Sequence, residues 1–239
     1  MGLRRARAPM VSHLFLIHTF LRQVGASLGG VDGQVSMGTT LIAARFQGGV
    51  VLGADSRSSS GNYVANRFTD KITEVYDSIF MCRSGTAADT QFVADLVATK
   101  LEAYETLFNR APSVRTAATM TRNLCYNNKD RLSAGIICAG WDKKRGGSIY
   151  SVPQGGSLHE EAFAVSGSGS TYVLGFCDAN LRPDMSREES IECVRQALEL
   201  AMSRDGGSGG VIHLCVVTAE GVERRVVVPG EPEAGGGGG

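Results

Sequence analysis

The chain has 239 residues, and its 24 lysines and arginines balance 24 aspartates and glutamates. A net charge of zero gives no electrostatic reason to expect nucleic acid or an anionic membrane as a partner. The six cysteines, Cys82, Cys125, Cys138, Cys177, Cys193 and Cys215, form no CxxC pair and have no histidine at ligand spacing, so a zinc site is not expected.

Apolar residues make up 43% of the chain, ordinary for a globular protein with a sizeable core. Residues 1–38 differ from the rest. Arg4, Arg5 and Arg7 precede an apolar stretch from Val11 to Leu21, followed by Gly25, Ala26 and Ser27. This is the outline of a secretory or organelle-targeting signal. The stretch is short for a membrane span and is interrupted by His13 and His18. Two other readings stand beside it: a propeptide removed on maturation, which the next segment favours, and upstream sequence before a later start such as Met37.

From Thr39 the pattern changes. Thr39–Phe46 reads as a strand, Gln47-Gly48-Gly49 as a turn and Val50–Asp55 as the returning strand. A second pair is expected at Tyr63–Ala65 and Phe68–Thr73, and another strand at Ile79–Gly85. Val93, Leu96, Val97, Leu101, Tyr104 and Phe108 recur at helical spacing, predicting a helix over Ala87–Phe108. A second helix follows over Ser113–Arg131. Strands are expected at Ala134–Ala139, Ser148–Val152 and Ala162–Val165, the last leading through Gly167-Ser168-Gly169-Ser170 into a helix. Ser186 and Glu189 form a capping box for the next helix. Gly206-Gly207-Ser208-Gly209-Gly210 ends it, and Val211–Thr218 with Val222–Val228 make a final hairpin. Cys82, Cys138 and Cys215 sit in apolar strand-like runs, where free buried thiols suit a reducing compartment. Pro229–Gly239, with its pentaglycine, reads as a disordered tail.

Several strands are apolar on both faces. Two packed sheets with helices on both outer sides satisfy that pattern, an α+β, four-layer αββα sandwich occupying residues 39–228 as one domain.

Among motifs with chemistry, Gly206–Gly210 fits G-x-S-x-G. The nucleophile elbow needs a strand before and a helix after, whereas here the order is reversed. His13, His18, His159 and His213 have no evident triad partners. Gly167–Ser170 lacks the lysine of a phosphate loop.

A stronger constellation is spread over the first half. Gly38-Thr39-Thr40 opens the first strand, Gly53-Ala54-Asp55-Ser56-Arg57 ends the second, Asp70-Lys71 lies in the third, and Ser84-Gly85-Thr86-Ala87-Ala88-Asp89 joins a strand to a helix. A threonine hydroxyl needs a base. A free α-amine, with a reference pKa of about 7.7–8.0, can be that base if Thr39 becomes the first residue. Gly38, lacking a side chain, lets the hydroxyl reach its own preceding carbonyl. Lys71 places positive charge beside hydroxyl and amine. Asp55 orients Lys71, and the Gly85 N–H is the candidate oxyanion donor. Each residue also has a plain structural explanation: β-formers at a strand start, an ordinary ion pair, a strand-to-helix turn.

In this order and spacing, these tracts resemble the catalytic beta subunits of the 20S proteasome, within the N-terminal-nucleophile hydrolases. Ala139-Gly140-Trp141-Asp142, Tyr150-Ser151-Val152-Pro153, Gly167–Ser170 and Ser203–Gly210 extend the likeness, which is greatest to the caspase-like, post-acidic kind. The resemblance implies a threonine endopeptidase, self-processed at Gly38-Thr39. It implies that Ser168, Asp205 and Ser208 complete the network around the amine. It implies partners, the other beta and alpha subunits in heptameric rings of a twenty-eight-subunit core particle, unfolded polypeptides as substrates, no metal or organic cofactor, and a place in cytoplasm and nucleus. Arg83 shares a strand face with Gly85, so it would line the pocket for the residue before the cut and favour an acidic side chain there. Thr69 and Gln91 are further pocket matches, and Ser59 and Ala87 would offer backbone groups to an extended peptide. The main alternative is a non-catalytic ring subunit. A bacterial-type threonine protease of identical subunits and a small-molecule amidase with the same nucleophile are further alternatives.

Overall fold

The computed structural model describes residues 38–60, 63–66 and 68–230. The expected propeptide or targeting segment up to residue 37 and the glycine-rich end from residue 231 lie outside them. In chain order the elements are β1 (Leu41–Phe46), β2 (Gly49–Asp55), β3 (Ser58–Ser60), β4 (Tyr63–Asn66), β5 (Ile72–Tyr76), β6 (Ile79–Gly85), α1 (Ala87–Phe108) and α2 (Val114–Asn127). There follow β7 (Ala134–Asp142), β8 (Gly146–Val152), β9 (His159–Glu161), β10 (Phe163–Ser166), α3 (Ser170–Asn180), α4 (Arg187–Arg204), β11 (Ile212–Thr218) and β12 (Gly221–Val227).

Two antiparallel sheets form, ordered β10-β1-β2-β11-β12 and β5-β6-β7-β8-β9, with β3 and β4 a separate ribbon. Strand alternation decides how they stack. Along β1 and β2, Leu41, Ala43, Val50, Leu52 and Ala54 meet Ile72, Phe80, Cys82, Ile137, Ala139 and Ile149 of the other sheet. The opposite face of the first sheet, including Ile42, Ala44 and Val51, packs on Val173, Cys177, Val194 and Leu198 of α3 and α4. The outer face of the second sheet, including Met81, Ile136 and Cys138, packs on Val93, Val97, Leu101 and Ala117 of α1 and α2. Strands apolar on both faces are therefore central layers of the expected αββα sandwich. At Gly53 a β-carbon would lie 2.7 Å from both Leu198 Cδ1 and Val194 Cγ1, so the absent side chain lets α4 approach β2.

Local chemistry sets several boundaries. Ser186 accepts from the Glu189 N–H while Glu189 accepts from the Ser186 N–H, the reciprocal box read in the sequence. Helix α2 ends at Asn127, short of Arg131, where the Asn128 side chain bonds the Leu124 carbonyl and competes with helical continuation. The pairing expected between Tyr63–Ala65 and Phe68–Thr73 is not formed. Instead β4 pairs with β3 and β5 pairs with β6. Phe68 is 71% exposed, and the Asp70 carboxylate accepts the Ile72 N–H over 2.8 Å, a local turn that delays the strand until Ile72. Lys71 thus precedes a strand instead of lying within one. Strands β3 and β9, too short and polar to show alternation, have no counterpart in the sequence reading. All six cysteines are free and buried.

Candidate active site

One end of the sandwich gathers polar groups that the sequence keeps far apart. Gly38 and Thr39 enter β1, Asp55 ends β2, Lys71 precedes β5, Gly85 ends β6, Ser168 lies in the turn before α3, and Asp205 and Ser208 follow α4. Thr39, Asp55, Lys71, Asp205 and Ser208 are all buried.

The Thr39 Oγ1 donates to the Gly38 carbonyl over 2.8 Å and accepts from Lys71 Nζ at 3.1 Å. Lys71 Nζ also donates to Asp55 Oδ1 at 2.7 Å and to the Gly38 carbonyl at 3.4 Å. An ammonium has three protons, and here three acceptors surround it. Burial lowers the Lys71 pKa from its ordinary value, while the Asp55 charge and hydrogen bond oppose that. Asp55 is 0% exposed. Its carboxylate also receives the Thr40, Arg57 and Gly209 N–H groups over 2.8, 3.2 and 3.0 Å, so its charge is solvated by the protein.

A second network lies behind the Thr39 nitrogen. Thr39 N–H donates to Ser168 Oγ at 3.2 Å, and Ser168 Oγ donates to Asp205 Oδ2 at 2.6 Å. Ser208 Oγ donates to the same oxygen at 2.7 Å, so the Thr40 hydroxyl, 2.7 Å from Ser208 Oγ, is the donor of that contact. Burial pushes the Asp205 carboxyl up, but the bonds from Ser168, Ser208 and the Gly207 N–H, with the Lys71 charge, hold it below its ordinary value.

Glycines make the close approaches possible. A β-carbon on Gly38 would lie 2.0 Å from Gly207 Cα, and one on Gly167 would lie 2.1 Å from the Thr39 carbonyl oxygen. Gly85 has φ +113°, and a β-carbon there would lie 2.2 Å from the Ser133 carbonyl oxygen. Only glycine suits that strand-to-helix turn, which leaves the Gly85 backbone bare toward the cleft.

The cleft beside Thr39 is lined by Gly38, Thr39, Thr69, Lys71, Arg83, Gly85 and Ala87 among the expected residues. Ser59 lies in β3 opposite Val64. Gln91 is not brought to the cleft: it is exposed and donates to Asp95 one turn along α1. Arg57, Asp70 and Thr90 line the cleft as well, and the sequence had given none of them a role there. Thr40 likewise had no role, although a signal existed. Thr40 shares its strand face with Ile42 and Ala44 and is fully buried, and a buried hydroxyl requires partners. His159 and His213 are not part of the site. Among the described residues, no group of three or more His, Cys, Asp or Glu side chains could hold a metal ion, and no helix is long and apolar enough to cross a membrane.

Comparison with known proteins gives an independent finding. Residues 35–217 match the proteasome subunit family. The chain is 52% identical to the probable proteasome subunit beta type-1 of Schizosaccharomyces pombe, over 81% of this chain and 85% of that protein. It is 51% identical to proteasome subunit beta type-1 of Saccharomyces cerevisiae, over 84% and 93%. It is 50% identical to proteasome subunit beta type-6 of Dictyostelium discoideum, over 82% and 92%.

Proposed function

This chain belongs to the proteasome beta-subunit family, and from that premise we propose that it is a threonine endopeptidase subunit of the 20S core particle, self-processed between Gly38 and Thr39 and cutting polypeptides preferentially after acidic residues. It assembles with the other beta and alpha subunits, and such a particle works in cytoplasm and nucleus. Residues 1–38 are removed on maturation, residues 39–228 are the catalytic domain, and the end beyond is a tail.

The observation that carries this reading is the Thr39 hydroxyl, held between the Gly38 carbonyl and Lys71 Nζ at 2.8 and 3.1 Å. With the Gly38–Thr39 bond intact, the chain is the precursor, and its α-amine is locked in an amide. Thr39 Oγ attacks the Gly38 carbonyl carbon through a five-membered ring. The carbon–nitrogen bond breaks, the hydroxyl proton ends on the departing nitrogen, and an ester remains. Water hydrolyses the ester, releasing the Gly38 carboxyl group and freeing both hydroxyl and amine.

In the mature chain that amine is the base. Its place beside Ser168, backed by Asp205 and Ser208, supports a fixed orientation. It takes the Thr39 hydroxyl proton as the oxygen attacks a substrate carbonyl. Lys71 holds positive charge beside the nucleophile, and the Gly85 N–H takes the developing oxyanion. The amine's proton passes to the leaving nitrogen, and water releases the acyl group. Arg83, in the cleft wall, supplies a charge-assisted hydrogen bond to an acidic side chain before the cut; Thr69 adds a small polar surface, and Ser59 and Ala87 meet the extended peptide.

A non-catalytic ring subunit is the alternative. Thr39, Lys71, Asp55 and Gly38 in bonding contact support the catalytic reading against it. N-terminal sequencing of the subunit from purified particles is the test. A mature chain beginning elsewhere than Thr39 removes the base and the mechanism together.

A further inference from the structure

Two side chains of opposite charge, Arg83 and Asp70, line the cleft beside Thr39. A pocket for acidic side chains needs the first and is harmed by the second. A carboxylate within reach can neutralise the guanidinium before substrate arrives and repels the substrate's own charge.

The Asp70 carboxylate is engaged elsewhere. Its Oδ1 accepts the Ile72 N–H at 2.8 Å, and its Oδ2 accepts from Arg224 Nη1 at 2.6 Å. Among the described residues, the Arg83 guanidinium bonds only the Asp70 backbone carbonyl, over 3.5 Å, and its buried Nε has no partner. Asp70 is the foremost charge opposing the effect of burial on Arg83, so the two groups feel each other without an ion pair.

Arg224 comes from the other sheet. It pairs with Cys215, whose side chain lies between the sheets, and Arg224 projects on that side at the open edge. Its guanidinium carbon sits 5.4 Å from the Phe80 ring centroid, and Nη2 donates to the Ile72 carbonyl at 3.0 Å. Bonds to Asp70 and Ile72 together fix the guanidinium in a planar, two-point contact.

We propose that Arg224 is a specificity-positioning residue: by holding the Asp70 carboxylate it leaves the charge of Arg83 free for an acidic substrate side chain. This rests on the acidic preference proposed above. Arg224 touches no reacting atom and acts through Asp70.

The test uses assembled particles carrying variants of this subunit, with peptides bearing glutamate or leucine before the cut. In Arg224→Met, KM for the glutamate peptide rises by about two- to fivefold, the scale of an exposed ion pair, while kcat stays within about twofold. The leucine peptide does not show the rise. Adding Asp70→Asn to Arg224→Met returns KM to the parent value, because the freed competitor is now neutral. A fall in kcat at constant KM, or a double variant no better than Arg224→Met, overturns the proposal and makes Arg224 a brace for the segment carrying Lys71. Where Arg224→Met does not assemble, Asp70→Asn alone decides: KM for the glutamate peptide stays at or below the parent value, and a raised value overturns the proposal. Thr39→Ala particles separate the two levels. If they still cut the glutamate peptide at the parent rate, the acidic activity belongs to another subunit, and the underlying reading fails first.

Discussion

Lys71 Nζ lies 2.7 Å from Asp55 Oδ1, with the two side chains 8% and 0% exposed. A buried pair of this kind is costly to desolvate, and its members depend on each other. Burial lowers the Lys71 pKa and the Asp55 charge opposes that, while Lys71 Nζ donates to the Thr39 hydroxyl.

Removing one partner therefore costs more than removing both. Lys71→Met or Asp55→Asn is expected to destabilise the chain by about 3–5 kcal/mol, because a buried group is left unpaired. The double variant recovers most of that stability. On the proposed mechanism, none of the three processes itself or cuts peptides at more than about a hundredth of the parent rate, since the Thr39 hydroxyl has lost its charged neighbour. Denaturant unfolding gives the stabilities, and intact mass gives the processing. A double variant as unstable as the worse single would contradict the pair's interdependence.

Gly38→Ala should leave the precursor uncut. Its β-carbon would collide with the Gly207 backbone, so the Gly38 carbonyl must move away from the Thr39 hydroxyl. A displacement of about 1 Å is enough to slow such a reaction about a hundredfold. Gly206→Ala is the control, because a β-carbon there meets nothing within 4 Å. The mass of the subunit over time during assembly distinguishes the two.

Arg83→Leu should lower kcat/KM for peptides cut after glutamate by about tenfold or more, the loss of one charge-assisted hydrogen bond of about 1.5–3 kcal/mol. Cleavage after leucine should rise. An unchanged rate after glutamate would show that the preference is set elsewhere.

Asp205 gives a pH signature. Its folded pKa lies below the ordinary 3.8, so as pH falls the unfolded chain takes up the proton first. The stability from this group is present above about 3.8 and is lost as pH falls through the lower folded value. The stability gap between the parent chain and Asp205→Asn should shrink over that acidic window. Denaturant unfolding at a series of pH values measures it, and a gap independent of pH would sink the assignment.

Much of the fold was legible because its signals are local. The α1 periodicity, the Ser186 capping box and strands apolar on both faces all lie in contiguous residues. The errors fall where a local side-chain bond overrides the apolar pattern. Phe68 suggested a strand, but the Asp70 carboxylate caps a turn and Phe68 stays exposed. Asn128 ends α2 in the same way. Strands β3 and β9, of three residues each, are too short to alternate visibly. Within the site, Thr40 was hidden because a threonine beside Thr39 in a strand is also an ordinary β-former.

The sequence alone determined the chemistry that is possible: a threonine behind a glycine, a lysine, a carboxylate and glycines where backbone must come close. It also determined the layer order, since strands apolar on both faces must be covered on both sides. Tertiary structure decided which groups meet. Asp205 reaches Thr39 through Ser168 only because α4 ends over β1, and Arg224 meets Asp70 across a sequence gap of 154 residues because two sheets share an edge. Hydrogen bonds and charges act over a few ångströms, and a linear chain carries no record of such distances until it is packed.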